Sequence, residues 1–475
     1  MKTEMISKGQ DSIITGLNKA ANIITSTMSA NGKTVIINSD NDLKITKDGV
    51  SVAKEINLPD PIENIGAKLL ISAAKETVDS VGDGTTLTSL LLQKFVEYCK
   101  EDHKKYNILE KEVKKCIDHI KQHTRKVNTL EQIKNIATTA SNSEEIGELF
   151  REIYEQTDFD IMIELEETEE PYTRYEVEAG LKFDSGFIHR SFMTDRKAER
   201  TVYEDAYIHI SSHPIRGIPQ EYQNYLSTAL KEQIPLVIIA PDFSDAFFRQ
   251  ASMLRVNEGA PVCLVRTPGY GMGQDKNMDD LQAFLSEDSS CEKVVIDDYS
   301  CIFYNSYHSH LEERREELKH KWENAIEPYD IEDYRNRYYR LGNNIAVIYV
   351  GSPTKEAMKE QYDRIEDAIG SVQSSIKYGF VPGAGSILYQ FDSELSVFKE
   401  PTYKILQNSN VELDDINEFL LSTPNFGYSI HTNSIEDLVE AGVLDSARVL
   451  IEALLNALSN TKLIINTNYS LYNVH

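Results

Sequence analysis

The sequence has few cysteines, no long apolar run and no excess of base, and each shortage excludes a class of protein. Five cysteines (Cys99, Cys116, Cys263, Cys291 and Cys301) are present, and no two have Cys-x-x-Cys spacing. An odd count without that spacing predicts reduced thiols, not a disulfide framework or a zinc ribbon. No apolar stretch approaches the ~20 residues that a membrane helix needs. Lys2 is followed at once by Glu4 and polar residues, which is not the basic-then-apolar layout of a secretory leader. A cytoplasmic protein without membrane association is therefore expected. Against 49 Lys and Arg stand 76 Asp and Glu, a net charge of −27. Such a chain repels nucleic-acid phosphates, so no nucleic-acid partner is expected. Its most basic stretch, Lys104 to Lys126, is interleaved with acids and reads as a solvated helix. His119 and His123, like His209 and His213, have helical metal-ligand spacing but no acidic or Cys partner at a diagnostic distance, and read as surface or core histidines.

What is present is a soluble globular balance, 41% apolar and 26% charged residues, over 475 residues. Domains commonly run to roughly 100–200 residues, so about three are expected. Ile13, Ile14, Leu17, Ala20, Ala21 and Ile24 have helical spacing, and Gly32 ends that segment. Strand patterns at Thr34 to Asn38 and Leu43 to Thr46 lead to a turn, Lys47-Asp48-Gly49, and on to Val50 to Ala53. Helices are expected over 62–80 and 85–98 and onward to about 156. Strand and helix patterns then alternate. Leu236 to Ala240 and Val262 to Val265 are continuous apolar runs, as in buried parallel strands. Residues 307–340, rich in charge and Tyr, read as a solvated helical pair. Ile345 to Val350 is a strand, 355–377 a helix, and a Gly-rich turn at 379–385 precedes a final helical region. The order is helix, then mixed α/β, then helix, which suggests an α/β domain inserted into a helical one.

The turn Gly82-Asp83-Gly84-Thr85-Thr86 carries the chemistry. Glycine permits positive φ and a close backbone approach to a ligand. Amide N–H groups at the start of the following helix favour an anion such as phosphate. Thr85 and Thr86 add hydroxyl donors, and Asp83 offers a carboxylate oxygen to Mg²⁺. The pattern is neither a Walker A loop nor a dinucleotide fingerprint, and by itself it reads equally as an ordinary turn.

Other segments add to it. Residues Ile45-Thr46-Lys47-Asp48-Gly49-Val50-Ser51-Val52-Ala53-Lys54-Glu55-Ile56, and then Glu63-Asn64-Ile65-Gly66-Ala67, resemble the group I (GroEL-type) chaperonin segment before the phosphate turn. Arg364-Ile365-Glu366-Asp367-Ala368 is similar to that family's Arg-Val-Glu-Asp-Ala helix. Seventeen residues after Glu366 comes Gly383-Ala384-Gly385, like its Gly-Gly-Gly, and Gly442-Val443-Leu444-Asp445 resembles its Gly-Ile-Leu-Asp. The order matches, and the likeness is faint in 100–135, 270–340 and 390–425.

The resemblance implies an α+β multidomain chaperonin fold. A helical equatorial ATP-binding domain would comprise 1–122 and 378–475, a small intermediate hinge domain 123–179 and 352–377, and an inserted α/β apical substrate-binding domain 180–351. It implies an ATPase, coupled to protein folding, that binds ATP and Mg²⁺, with room for K⁺. Asp83 would coordinate Mg²⁺, while Gly84, Thr85 and Thr86 hold phosphate oxygens. Asp48 and Asp367 would flank the γ-phosphate and attacking water as the catalytic pair. Lys47 and Gly32 would contribute backbone to phosphate and monovalent cation, Gly383 and Ala384 would approach the ribose, and Asp445 would hydrogen-bond the nucleoside. Gly180 and Gly351 would be hinges.

Unfolded polypeptides would bind an apical rim made of Phe187, Phe192, Tyr222, Tyr225, Leu226, Phe247, Phe248 and Met253, or several of these would face the core instead. Self-association into rings and docking of a lid-like co-chaperonin complete the implied partners. Departures from the family pattern are Thr27-Met28-Ser29-Ala30-Asn31-Gly32 in place of Thr-Leu-Gly-Pro-Lys-Gly, Leu87 in place of a third threonine, and Ser429-Ile430 in place of Asn-Ala. The altered cradle leaves open a non-catalytic ring or scaffold of the same fold.

Overall fold

A computed structural model describes residues 2–7, 9–39, 42–157, 159, 161–196, 198–269, 272–285, 288–304, 311–325, 327, 329–330, 333–334, 337–338, 341, 344–412, 423–467 and 469–474. The first half of the chain runs β1 (Lys2–Ser7), α1 (Gln10–Thr25), β2 (Val35–Ser39), β3 (Asp42–Thr46), α2 (Gly49–Glu55), α3 (Pro61–Val81), α4 (Thr85–Cys99), α5 (Lys105–His123), α6 (Leu130–Ser141), α7 (Glu144–Gln156), β4 (Met162–Glu167), β5 (Arg174–Phe183), β6 (Thr201–Ile210), α8 (Gln220–Glu232) and β7 (Leu236–Ala240). It continues with α9 (Asp245–Glu258), β8 (Val262–Arg266), α10 (Met272–Leu285), β9 (Asp288–Ile296), β10 (Cys301–Tyr304), α11 (Leu311–Asn324), β11 (Asn344–Val350), α12 (Lys355–Tyr378), β12 (Phe380–Pro382), α13 (Ser386–Tyr389), α14 (Glu400–Asn408), β13 (Phe426–Ser429), β14 (Ser434–Asp437), β15 (Leu444–Ser446), α15 (Ala447–Ile465) and β16 (Tyr469–Val474). Two compact units result, one of Met1–Phe159, Leu165–Arg174 and Tyr349–His475, the other of Asp160–Glu164 and Tyr175–Ile348. Most of 123–179 and all of 352–377, expected as an intermediate domain, fall in the first unit.

In the first unit the helix starts are written in the sequence. Asp60 caps α3 by accepting from Ile62 and Glu63 N–H, with Pro61 in the first turn. Thr129 and Gln132 form a reciprocal capping box on α6, and Thr354 caps α12. The apolar stripe of α1 (Ile13, Leu17, Ala20, Ile24) packs into one core with Ala67, Leu70 and Ala73 of α3, Leu91, Leu92 and Phe95 of α4, and Leu454 and Ala457 of α15. Helices α1 and α3 cross with backbone against backbone. A Cβ on Gly16 would lie 1.8 Å from the Glu63 carbonyl oxygen, and one on Gly66 would lie 1.9 Å from that of Ile13.

Two short pairings place the functional loops of this unit. The antiparallel β2–β3 hairpin ends at Thr46 and delivers Asp48 to the start of α2, so Val50 to Ala53 is helical. β12 pairs antiparallel with β15, with Val381 opposite Asp445, and the Gly383 N–H donates to the Val443 carbonyl at 2.9 Å. The segment after residue 385, expected to be helical, also contains the antiparallel hairpin β13–β14.

The second unit is built on a sheet ordered β4-β11-β5-β10-β9-β6-β7-β8. β6, β7 and β8 are mutually parallel, and every residue of β7 is buried, as its unbroken apolar run predicts. The charged segment 307–340 is not simply a solvated pair. The Asp280 carboxylate of α10 is fully buried and accepts from Arg337 Nε and Nη2, both at 2.7 Å, and from Arg314 Nε at 3.1 Å. This bidentate pairing ties α10 to α11 and to the chain beyond it. Residues 305–310 and several between 326 and 343 lie outside the described ones. Among the described residues no helix is long and apolar enough to cross a membrane.

Alanine has the higher intrinsic helix propensity, yet Gly66→Ala should destabilise the first unit by about 2–3 kcal/mol, because the α1–α3 crossing has no room for a methyl group. A chemical-denaturation midpoint that fell relative to wild type would carry the point, and an unchanged or raised midpoint would refute it.

Candidate functional site

A cavity of about 260 Å³ in the first unit is lined by residues from well-separated parts of the chain. Ser29 and Ala30 come from the turn after α1, Lys47, Asp48 and Gly49 from the start of α2, and Asp83 to Leu87 from the start of α4. Asp367 and Ser371 come from α12, Ala384 and Gly385 from the glycine turn, and Asp445 from β15. Of the expected site residues, Lys47, Asp48, Asp83, Gly84, Thr85, Thr86, Asp367, Ala384 and Asp445 meet here. Gly32 and Gly383 do not line it. Gly32 closes the turn after α1, where a Cβ would lie 2.1 Å from the Thr27 carbonyl oxygen.

The floor of the cavity is the turn before α4. Gly82 has φ +77° and Gly84 φ +104°, both in the left-handed region that suits glycine. The Gly84 N–H donates to its neighbour Asp83 Oδ1 at 2.5 Å, and the Ser371 hydroxyl donates to Asp83 Oδ2 at 2.6 Å. Asp48 caps α2, its Oδ1 accepting from Val50 N–H at 3.1 Å and its Oδ2 from Ser51 N–H at 2.6 Å. The hydroxyls of Thr85 and Ser29 are buried and lack a hydrogen-bond partner among the described residues. A buried hydroxyl without a partner costs stability unless a ligand or water supplies one, so both mark places for polar ligand atoms.

The electrostatics call for a cation. Burial pushes the Asp367 carboxyl well above the usual carboxylate range, and the nearby Asp83 and Asp48 charges push it further. Burial likewise raises Asp83 against the lowering effect of its bonds from Ser371 and Gly84, with Asp48 adding repulsion. Asp445 is pushed up to about 7, by burial first and then by Asp83, although a backbone bond from Gly385 opposes this. Among the described residues no three His, Cys, Asp or Glu side chains close on one point as a complete metal cage. A carboxylate such as Asp83 at a phosphate turn is a donor that fits Mg²⁺, which takes one or two carboxylates and fills its shell with phosphate and water oxygens.

Sequence reasoning missed Ser371, although it stands at i+4 from Asp367 and so on the same helical face. It also missed that Ser29, at the position of the family's glycine, adopts φ +72°. That backbone is strained for a residue with a Cβ, by roughly 1–2 kcal/mol. Ala384 shares the conformation at φ +53°.

Residues 20–235 match the TCP-1/cpn60 chaperonin family. The maize mitochondrial chaperonin CPN60-2 is 29% identical over 504 aligned positions, covering 96% of this chain and 87% of the relative. The Arabidopsis thaliana mitochondrial chaperonin CPN60 matches with the same identity and coverage. The chain is similar to the TCP-1/cpn60 chaperonins across these spans. The likeness is to group I chaperonins at low identity, and it supports an ATP-dependent chaperone of protein folding and an ATPase. Its fold resembles that of chaperonin gp146 from bacteriophage EL 2 (Pseudomonas aeruginosa), solved in the presence of ATP-BeFx. The TM-score is 0.77 at 20% identity, with 99% of each chain covered.

In the second unit the chaperonin's expected client-binding residues divide unequally. Phe187, Phe192, Tyr222, Leu226 and Phe247 are buried in the core of the unit. Phe192 meets Phe248 edge-on at 6.3 Å, and Tyr222 meets Phe247 at 5.5 Å. The continuous aromatic cluster above β7 and β8 needs these rings as filling, so they face inward. Tyr225 and Phe248 are half-buried, and Met253 is 60% exposed. Three positions along α9, Val256 is equally open at 61%. His209 packs in the same aromatic cluster at 5.3 Å from Tyr222, and the rings of His119 and His123 lie tilted at 47° with centroids 4.3 Å apart. Gly180 sits inside β5 opposite Tyr304, where a Cβ would strike Ile345 Cδ1 at 2.3 Å. A Cβ on Gly351 would lie 2.3 Å from the Glu170 carbonyl oxygen, with no room for it. Both glycines are closely packed. All five cysteines are buried and free.

The raised Asp445 carboxyl gives a signed pH effect. Folded Asp445 holds its proton up to about pH 7, while the unfolded residue loses it near the ordinary 3.8. Stability should therefore fall as pH rises between these values. Asp445→Asn should flatten that fall in the nucleotide-free protein by about 2 kcal/mol, the effect being reduced by water that reaches the cavity. Parallel stability–pH curves for the two proteins would contradict it.

Proposed function

We propose that the cavity of the first unit binds ATP with its phosphates against the Gly82–Thr86 turn, and that hydrolysis there drives capture and release of unfolded polypeptides. The observation that carries this reading is the convergence of Asp48, Asp83 and Asp367 on one cavity at the N-terminus of α4. Amide N–H groups of that helix start and the unpartnered Thr85 hydroxyl receive phosphate oxygens. Asp83, with Ser371 and Gly84 fixing its carboxylate, is the residue that would hold Mg²⁺. The ion would neutralise charge that develops on the transferring phosphoryl group.

Asp367 orients the attacking water. Water oxygen bonds to the γ-phosphorus while the bond to the β,γ-bridging oxygen breaks, giving ADP and phosphate, and the water proton passes to Asp367. Asp48 has both oxygens engaged by the start of α2, which holds its charge at the cavity edge without letting the side chain swing. Lys47 and Ala384 supply backbone around the phosphates and ribose, and Lys47 Nζ, 3.4 Å from the Ala30 carbonyl, also fixes the altered cradle. Asp445, poised near neutrality, bonds the nucleoside. A K⁺ ion beside the Lys47 backbone fits the same acidic surroundings.

In the second unit the exposed apolar pair Met253 and Val256, with half-buried Tyr225 and Phe248, is the surface offered to clients. A flexible thioether suits a surface that meets many sequences. The further elements of this reading are three domains bounded near 122/123, 179/180, 351/352 and 377/378, subunits assembled into a ring, hinges near Gly180 and Gly351, docking of a lid-like co-chaperonin, and a cytoplasmic site of action.

Asp367→Ala should lower steady-state ATP turnover about 100-fold, the usual weight of a positioned base, while ADP binding is retained. Turnover equal to wild type would sink the assignment. Met253→Ser with Val256→Ser should weaken capture of a denatured test protein, measured as protection from aggregation, and leave ATP turnover as in wild type. Undiminished capture would remove this pair from the client surface.

A further inference from the structure

α12 presents Asp363, Asp367 and Ser371 at successive i, i+4 positions, which places them on one face of the helix. Asp367 in the middle faces the cavity, and each outer residue makes a side-chain bond to the rim. The Ser51 hydroxyl of α2 donates to Asp363 Oδ2 at 3.0 Å, and Ser371 donates to Asp83 Oδ2 at 2.6 Å. Between Asp367 and Ser371 stands Gly370. A Cβ there would lie 2.6 Å from the Gly82 Cα, carbonyl carbon and carbonyl oxygen, and a Cβ on Gly82 would lie 2.6 Å from the Gly370 Cα. The helix and the phosphate turn thus touch backbone to backbone, with no side chain between them. Glycine inside a helix costs roughly 1 kcal/mol relative to alanine, so close approach is what the residue gains there.

We propose that Gly370 and Ser371 form a latch that docks α12 on the phosphate turn, with Ser371 a positioning residue that holds the Asp83 carboxylate and, through the same helix face, sets Asp367 at the cavity. The inference rests on the ATPase reading above and adds two residues to it. One hydroxyl bond serves both catalytic elements at once. It fixes the rotamer of the carboxylate assigned to the metal, and it clamps the helix turn next to the carboxylate assigned to the water. A misplacement of about 1 Å at either group costs on the order of a hundredfold in rate. The Ser51–Asp363 bond at the other end of the stripe keeps the helix from pivoting about the latch.

The test compares wild type, Ser371→Ala, Ser371→Thr and Gly370→Ala. Ser371→Ala should lower kcat about tenfold, with ADP affinity, measured calorimetrically, within about twofold of wild type. Ser371→Thr, which keeps the hydroxyl, should recover most of the rate. Independently of turnover, amide hydrogen exchange of the nucleotide-free protein should quicken about tenfold at 82–86 in Ser371→Ala. Gly370→Ala should lose rate and some stability together, although alanine has the higher helix propensity, because its methyl group would meet the Gly82 backbone at 2.6 Å and hold α12 off the turn. Ser371→Ala with wild-type turnover and unchanged exchange would overturn the latch alone. So would a loss that threonine does not rescue and that follows ADP affinity step for step. A wild type that hydrolyses no ATP would overturn the ATPase reading and the latch with it.

Discussion

Like charges that must share one cavity are the constraint on which the rest of the first unit depends. Asp48, Asp83 and Asp367 repel one another there, and burial makes the repulsion worse because little water screens it. A fold does not bring such groups together for stability. It holds them by local bonds that leave the carboxylates no easy escape: Asp48 is pinned as a helix cap, and Asp83 is pinned between Gly84 and Ser371. The β2–β3 hairpin, the α1–α3 glycine crossing and the β12–β15 pairing then act as a frame that delivers four distant segments to one place. On the proposed reading, a cation would offset both this repulsion and the charge of bound phosphates.

The second unit answers to a different demand. Its sheet has an interior parallel stretch that must be covered on both faces. The aromatic residues of the extended segment and of α8 and α9 do that covering, while Met253 and Val256 of α9 stay exposed. The buried Asp280–Arg337 pair shows a similar economy, in which charged residues far apart in the chain fasten helices that a small core would hold poorly.

Much of this was legible in the sequence for identifiable reasons. Helices with stripes and caps, such as α3 behind Asp60 and α12 behind Thr354, announce themselves because period and capping chemistry are local. The unbroken apolar run of β7 is equally local. Residues 426–437 are harder to place, because the turn of their hairpin has Asn433 in left-handed backbone and not a glycine pair. The aromatic set of the second unit misled because amphipathic rings serve a core and a rim equally well, and only packing against neighbours separates the two uses.

The sequence by itself determined the chemistry available: a glycine turn with two threonines, aspartates at 48, 83, 367 and 445, and the order of segments that resembles a chaperonin. Those are properties of residue type and spacing. Tertiary structure alone decided that Ser371 reaches Asp83, that Gly370 lies against Gly82, that Ser29 takes a glycine's backbone, and that Gly32 and Gly383 stand outside the cavity. The first two depend on distances between segments hundreds of residues apart. Such distances are set by packing of the whole unit, which no local pattern encodes.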